Sequence, residues 1–199
     1  ALRLVGYGAE EPGWVDTGTR EDANSTRVVG LRGLLGVEPV SGWRLDVTGL
    51  GQWLDSRDSR YVYARHSYSR PAQLAEPHDN DLTHMATRLT GAIGQTEVML
   101  ASAMTWQSVD DRLDATIGAD DFGLADPMFL FNRTNYRTWD SELRLRGKIG
   151  GIGWLAGLSH LDARQAFDAT LEGQAGETLV VDQDRRDSHD TAAYFNLTV

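Results

Sequence analysis

The stretch 139–162, WDSELRLRGKIGGIGWLAGLSHLD, limits the possible folds more than any other part of the chain. In its first half Trp139, Ser141, Leu143, Leu145 and Gly147 alternate with Asp140, Glu142, Arg144, Arg146 and Lys148. One set is apolar or small, the other fully charged. A helix would set Leu143 and Leu145 about 200° apart and would be broken by Gly147, Gly150, Gly151 and Gly153, so a period of two prevails. The stretch predicts two strands joined by a glycine turn, the first with different solvents on its two faces. A soluble sheet with one face on a core gives this alternation. So does a transmembrane barrel wall, with lipid on one side and an aqueous lumen on the other.

Recurrence of the pattern distinguishes the two. ALRLVGYG opens the chain as a short strand, followed by a polar loop through the run 17–25. The next strand, about 26–37, places Val29, Leu31, Gly33, Leu35 and Val37 on one side. A tight connection, 38–42, leads to a strand in which Trp43, Leu45, Val47, Gly49, Gly51 and Trp53 oppose Arg44, Asp46, Thr48, Leu50, Gln52 and Leu54. Ten residues of tilted strand separate the two Trp, about the height of an apolar membrane band, so the pair fits two aromatic girdles. The run 56–80 reads as a long loop. Strands at 82–92 and 96–108 form a hairpin, the stretch 110–136 a long acidic connection, and 165–188 a further long acidic stretch in which 178–181 extends a strand or forms a loop hairpin. TAAYFNLTV closes the chain as a strand. About eight strands result, with long connections after the first, third, fifth and seventh and short ones after the others. Outer-membrane barrels sort their loops this way, with short periplasmic turns and long extracellular loops, and soluble sandwiches have no reason to.

Composition agrees. The 199 residues suffice for about eight spanning strands of roughly 9–11 residues. The mean hydropathy of -0.38 excludes a helical membrane protein but not a barrel, where only alternate residues meet lipid. Cysteine is absent, which removes disulfide scaffolds and thiolate metal sites. A net charge of -10 with Lys148 as the only lysine argues against nucleic acid as a partner. The residues after Ala1 contain no basic and apolar leader pattern, so export is neither shown nor excluded.

Three segments carry a resemblance. Glu142-Leu143-Arg144-Leu145 followed by Gly153-Trp154-Leu155-Ala156-Gly157-Leu158 resembles the ELRL and W-x-x-G-L hairpin of TonB-dependent outer-membrane receptors. Gly30-Leu31-Arg32-Gly33-Leu34-Leu35, with Pro39 and the strand 43–53, is similar to an earlier G-x-R-x-x-L, Pro-turn, strand pattern. Gly13-Trp14-Val15-Asp16 looks like the G-[FY]-[IV]-D loop segment before it. The resemblance implies an all-β fold: a transmembrane antiparallel meander of about eight strands, the middle part of a barrel of about 22 strands. Residues 1–199 would be a partial barrel without plug domain, TonB-contacting box or C-terminal aromatic strand. The implied role is energy-coupled uptake of a bulky scarce nutrient, such as a ferric siderophore, vitamin B12 or an oligosaccharide, across the outer membrane of a Gram-negative bacterium. Implied partners are membrane lipid and lipopolysaccharide, the TonB inner-membrane complex through the plug, and a small-molecule or iron-chelate substrate. The alternatives are a soluble β-sandwich or lectin-like module and a small closed eight-stranded membrane barrel with a structural role.

No nucleophile and base constellation appears, and His66, His78, His84, His160 and His189 form no ligand pair, so the chain reads as a non-enzyme without catalytic, metal or cofactor residues. Asp110, Asp111, Asp114, Asp120, Asp121 and Asp126 offer hard oxygens for Ca²⁺ but lack the EF-hand order, and read as solvated loop carboxylates. The sequons at Asn24, Asn132 and Asn196 read as chance matches. The loop bearing Arg57, Arg60, Tyr61, Tyr63, Arg65, His66, Tyr68 and Arg70 is the candidate contact for an anionic or aromatic ligand, although a solvated loop is the simpler reading. Arg32, Arg44, Asp46, Asp140, Glu142, Arg144 and Arg146 are expected to face the lumen, with unlike charges pairing between strands.

Overall fold

The computed structural model describes residues 1–71 and 74–199. The alternating stretches become one antiparallel sheet. Its strands are β1 (Leu2–Glu11), β3 (Thr26–Val40), β4 (Trp43–Ser56), β6 (His78–Ile93), β7 (Thr96–Asp114), β8 (Met128–Ile149), β9 (Ile152–Gly173) and β10 (Thr178–Thr198), each paired with the next. Two-residue strands β2 (Asp16–Thr17) and β5 (Ser69–Arg70) pair in parallel within the loops. A 3-10 turn (Thr116–Gly118) and the short helix α1 (Ala119–Phe122) interrupt the β7–β8 connection. Among the described residues β10 does not pair with β1, so the sheet is open, and no second sheet covers it as a sandwich would require.

The register assigns the faces. Val37, Leu45, Leu89, Leu100, Leu143, Leu158 and Ala193 are successive cross-strand partners, an apolar row over seven strands. One residue further from the short turns, Gly36, Asp46, Arg88, Ala101, Glu142, Ser159 and Ala192 form the matching row on the opposite face. Of the six Trp, Trp43, Trp53, Trp106, Trp139 and Trp154 share the face of the leucine row. That face is uncovered: Leu100 is 48% and Leu158 50% exposed. Its upper border, on the side away from the short turns, shifts from strand to strand. It reaches Val29 on β3 and Trp53 on β4, but only Trp139 on β8 and Leu158 on β9. A horizontal band drawn across tilted strands drifts in this manner.

Three turns at one end have two residues each, 41–42, 94–95 and 150–151, with Gly42, Gly94 and Gly150 at positive φ. At the other end the connections are 12–25, 57–77 and 115–127. Two expectations are corrected here. The stretch 165–188 is not a long loop: β9 and β10 continue through it to the turn 174–177, so a fourth connection is short. The acidic connection 110–136 contracts to 115–127, with Asp110, Asp111 and Asp114 on β7 and 128–136 on β8. The cause is an inversion of polarity along the strands. Near this end Asp55, Asp79, Asp110, Arg133 and Asp168 form a row on the previously apolar face. The other face carries Met128, Leu130 and Leu171, packed by Ala115, Ala119 and Leu124 of the connection.

Trp154 packs over Gly147, its β8 partner, where an added Cβ would lie 2.7 Å from the indole ring. Gly147→Val is therefore expected to displace the ring and lower the urea unfolding midpoint by the equivalent of about 1–3 kcal/mol. Gly49→Val, at a position where a Cβ meets nothing within 4 Å, should not lower it.

Candidate functional site

The charged face carries every residue expected to line the lumen. The register puts Arg32, Arg44, Asp46, Asp140, Glu142, Arg144 and Arg146 on it. Unlike charges pair between strands at Arg88–Asp46, 3.2 Å, and Arg146–Glu97, 2.6 Å. Arg44–Asp46 at 2.7 Å and Arg144–Glu142 at 2.8 Å pair along one strand, and Tyr194 on β10 donates to Glu142. Arg32 and Asp140 share the face but form no ion pair among the described residues. Exposed ion pairs add little stability. Their effect is to make this wall polar, and it encloses a trough of about 520 Å³ between Arg3, Arg44, Arg88 and Asp140 over small residues such as Ala86 and Ala101.

The candidate ligand loop has a different role. Connections 12–25 and 57–77 fold together through the β2–β5 pair, and Arg70, Asp58 and Glu76 are almost fully buried beneath them. Arg70 Nη2 donates to Asp58 Oδ1 at 2.6 Å, and Nη1 lies 2.9 Å from Glu76 Oε2. Ser59 bridges the two, accepting from Arg70 and donating to Glu76. Tyr61 donates to Glu76 Oε1 at 3.0 Å and lies under the guanidinium, 4.4 Å from ring centroid to Cζ. Burial first, then the neighbouring Tyr63 hydroxyl and the Glu76 carboxylate, push the Tyr61 phenol above its ordinary range. Arg20 Nη2 reaches Asp58 Oδ2 at 3.0 Å, and Asn24 Oδ1 accepts from the backbone N–H of Trp14 and Val15.

Arg70 therefore holds two carboxylates of its own chain and is withdrawn from any ligand. Arg60 pairs with Glu11 at 2.6 Å. Tyr63 and Tyr68 stay exposed, and Tyr68 meets Trp14 edge-on at 6.1 Å. Sequence reasoning found the arginine and missed Asp58, Glu76 and Asn24. Their residue types and spacing are ordinary, and only the meeting of two loops makes them a cluster.

The acidic clusters are largely paired. Asp110 takes a two-pronged bond from Arg133 at 2.9 and 3.1 Å. His78 contacts Asp111, and Asp114 accepts from the backbone N–H of Leu74 and Thr116. Asp120 and Asp121 lie in α1. Among the described residues no group of three or more carboxylates and imidazoles is arranged to hold a metal ion.

Removing Arg70 leaves two buried carboxylates facing each other, a type of loss that costs about 3–5 kcal/mol. Arg70→Met is expected to open the two loops to limited proteolysis within 12–25 and 57–71 while amide exchange in β7–β9 is unchanged. Equal protease resistance in variant and parent would show that the cluster does not hold the loops.

No protein-family model matches the chain, and no curated protein matches its sequence. Among solved structures it is similar to the ferric yersiniabactin uptake receptor FyuA from Yersinia pestis, with a TM-score of 0.67 at 10% identity. The likeness covers 98% of this chain and 39% of that receptor, so the chain spans well under half of the receptor's length. At that identity the likeness is one of fold: the open eight-stranded meander matches part of a receptor's β-barrel.

Proposed function

We propose that the chain is a section of the wall of an outer-membrane transport barrel of the TonB-dependent receptor type. The leucine row faces lipid and the Arg–Asp–Glu face lines the lumen. The observation that carries this reading is the uncovered apolar row from Val37 to Ala193 set against the charged row one residue away. A soluble sheet would cover such a row. Lipid covers it without a second protein layer, and the antiparallel ladder satisfies the backbone that water cannot reach.

The two-residue turns then lie on the periplasmic side and the loop cap on the outside. The polarity inversion supports this orientation, because strands of 22 and 21 residues in β9 and β10 are about twice the length needed to span a bilayer. Their upper halves stand in water, and the charged row at Asp110, Arg133 and Asp168 belongs there. By this reading the protein takes up a bulky scarce nutrient such as a ferric chelate, the class of cargo for which the structurally similar ferric yersiniabactin uptake receptor is named. Contact with lipopolysaccharide, TonB and a plug belongs to the same proposal. The chain then works by binding and passage rather than by bond-making.

Leu143→Arg places a charge in the middle of the leucine row and is expected to cost roughly 2–4 kcal/mol of membrane-embedded stability. Ala101→Arg, on the charged face, should cost much less. Similar losses for both would contradict the two-solvent assignment. For transport, cells carrying the full-length protein should accumulate a labelled ferric chelate, vitamin B12 or an oligosaccharide in a protonophore-sensitive manner. Uptake of all three unchanged by deletion of the gene would remove the receptor reading.

A further inference from the structure

Glu76 is 2% exposed, and its carboxylate is engaged from two directions. Oε2 takes the Ser59 hydroxyl and Arg70 Nη1, and Oε1 takes the Tyr61 hydroxyl. These contacts belong to the cap formed by connections 12–25 and 57–77. Oε1 has a further donor from outside the cap, the backbone N–H of Asp114 at 2.9 Å. Asp114 is the last residue of β7, where connection 115–127 begins. Its own carboxylate spans the junction: Oδ2 accepts from the Leu74 N–H and Oδ1 from the Thr116 N–H, each at 3.0 Å. Thr116 opens the 3-10 turn, and its hydroxyl donates to the Met128 carbonyl and accepts from the Met128 N–H.

A continuous chain of polar contacts thus crosses the outer end of the sheet. It starts at Asp16 and Gly18, whose N–H groups donate to the carbonyls of Tyr68 and Arg70 at 2.7 and 2.9 Å. It passes through Arg70 and Asp58 to Glu76, and on through Asp114 to Thr116. Arg20 adds a parallel route, reaching Asp58 and the Leu74 carbonyl at 3.0 Å each. Removing the donors on one side of a buried carboxylate weakens the geometry on the other, so contacts across Glu76 depend on each other. We propose that the three outer connections open and close as one unit, with the Glu76 carboxylate as the joint between the cap and the turn 115–118. The surfaces at the two ends are thereby coupled. The cap exposes Trp14 and Tyr68, and the turn exposes Ile117. A molecule held at the aromatic pair restrains the turn, and one held at the turn steadies the aromatic pair by the same factor. This coupling does not depend on what covers the apolar face of the sheet.

Hydrogen–deuterium exchange of the full-length protein in detergent micelles tests the coupling by disturbing the cap at points that do not touch 115–118. Asn24→Ala removes the acceptor of the Trp14 and Val15 N–H groups, and Arg70→Met removes the centre of the cluster. Both are expected to quicken exchange about tenfold in 12–25, 57–71 and 115–118 alike, while amides of β8 and β9 keep the parent rate. Glu76→Gln, which breaks the joint, should leave 115–118 fast from the outset, and adding Asn24→Ala to it should not raise that rate further. Arg60→Gln, which breaks only the exposed pair with Glu11, should change none of these segments. Parent-like exchange of 115–118 in both cap variants overturns the coupling, whether or not the cap itself loosens. A further increase in 115–118 when Asn24→Ala is added to Glu76→Gln overturns Glu76 as the joint.

Discussion

The structure depends on the antiparallel register that aligns Val37, Leu45, Leu89, Leu100, Leu143, Leu158 and Ala193. Slipping β8 by one residue would send Leu143 to the charged face and Glu142 or Arg144 to the apolar one. The row therefore fixes every neighbour at once, and the two-residue glycine turns hold it at one end. Because the row is uncovered, the stability of the sheet is linked to the medium that covers it. The ion pairs of the opposite face define a polar wall more than they hold it together.

The loop cap is stabilised by other means. It has little apolar core, with Val15 the one fully buried aliphatic side chain in connections 12–25 and 57–77 among the described residues. Its order comes from Arg70 set between Asp58 and Glu76, with Ser59, Tyr61 and Arg20 completing the cluster. Ionic clusters of this type lose much when one member is removed, which explains how two polar loops hold one arrangement above an open sheet end. The cap presents Trp14, Tyr63 and Tyr68 outward, so aromatic surface rather than Arg70 is what it offers to the outside.

Much of the sheet was legible in the sequence because its two faces, one apolar and one charged, impose opposite demands on successive residues. The stretch 139–148 showed this directly, and the faces of 29–37 and 43–53 followed from the same period. Legibility ended where the polarity of the two faces inverts. In 165–173 the alternation persists but is reversed, with Phe167, Ala169 and Leu171 on the face that is charged lower down and Asp168 on the other. A stretch with acids on its outer face reads as loop when outer positions are expected to be apolar. The loop cluster was illegible for another reason. Asp58 and Glu76 acquire meaning only through contacts across 12 and 6 positions to Arg70 and across the gap to Arg20, which no local period encodes.

The most direct test of the two-solvent wall is a nitroxide scan along 138–147 of β8 in the full-length protein reconstituted in lipid bilayers. Positions 139, 141, 143, 145 and 147 should collide with dissolved oxygen, which concentrates in lipid. Positions 140, 142, 144 and 146 should collide with a water-soluble nickel chelate, giving two curves of period two in opposite phase. Equal access of the nickel chelate to positions 143 and 144 would contradict the account.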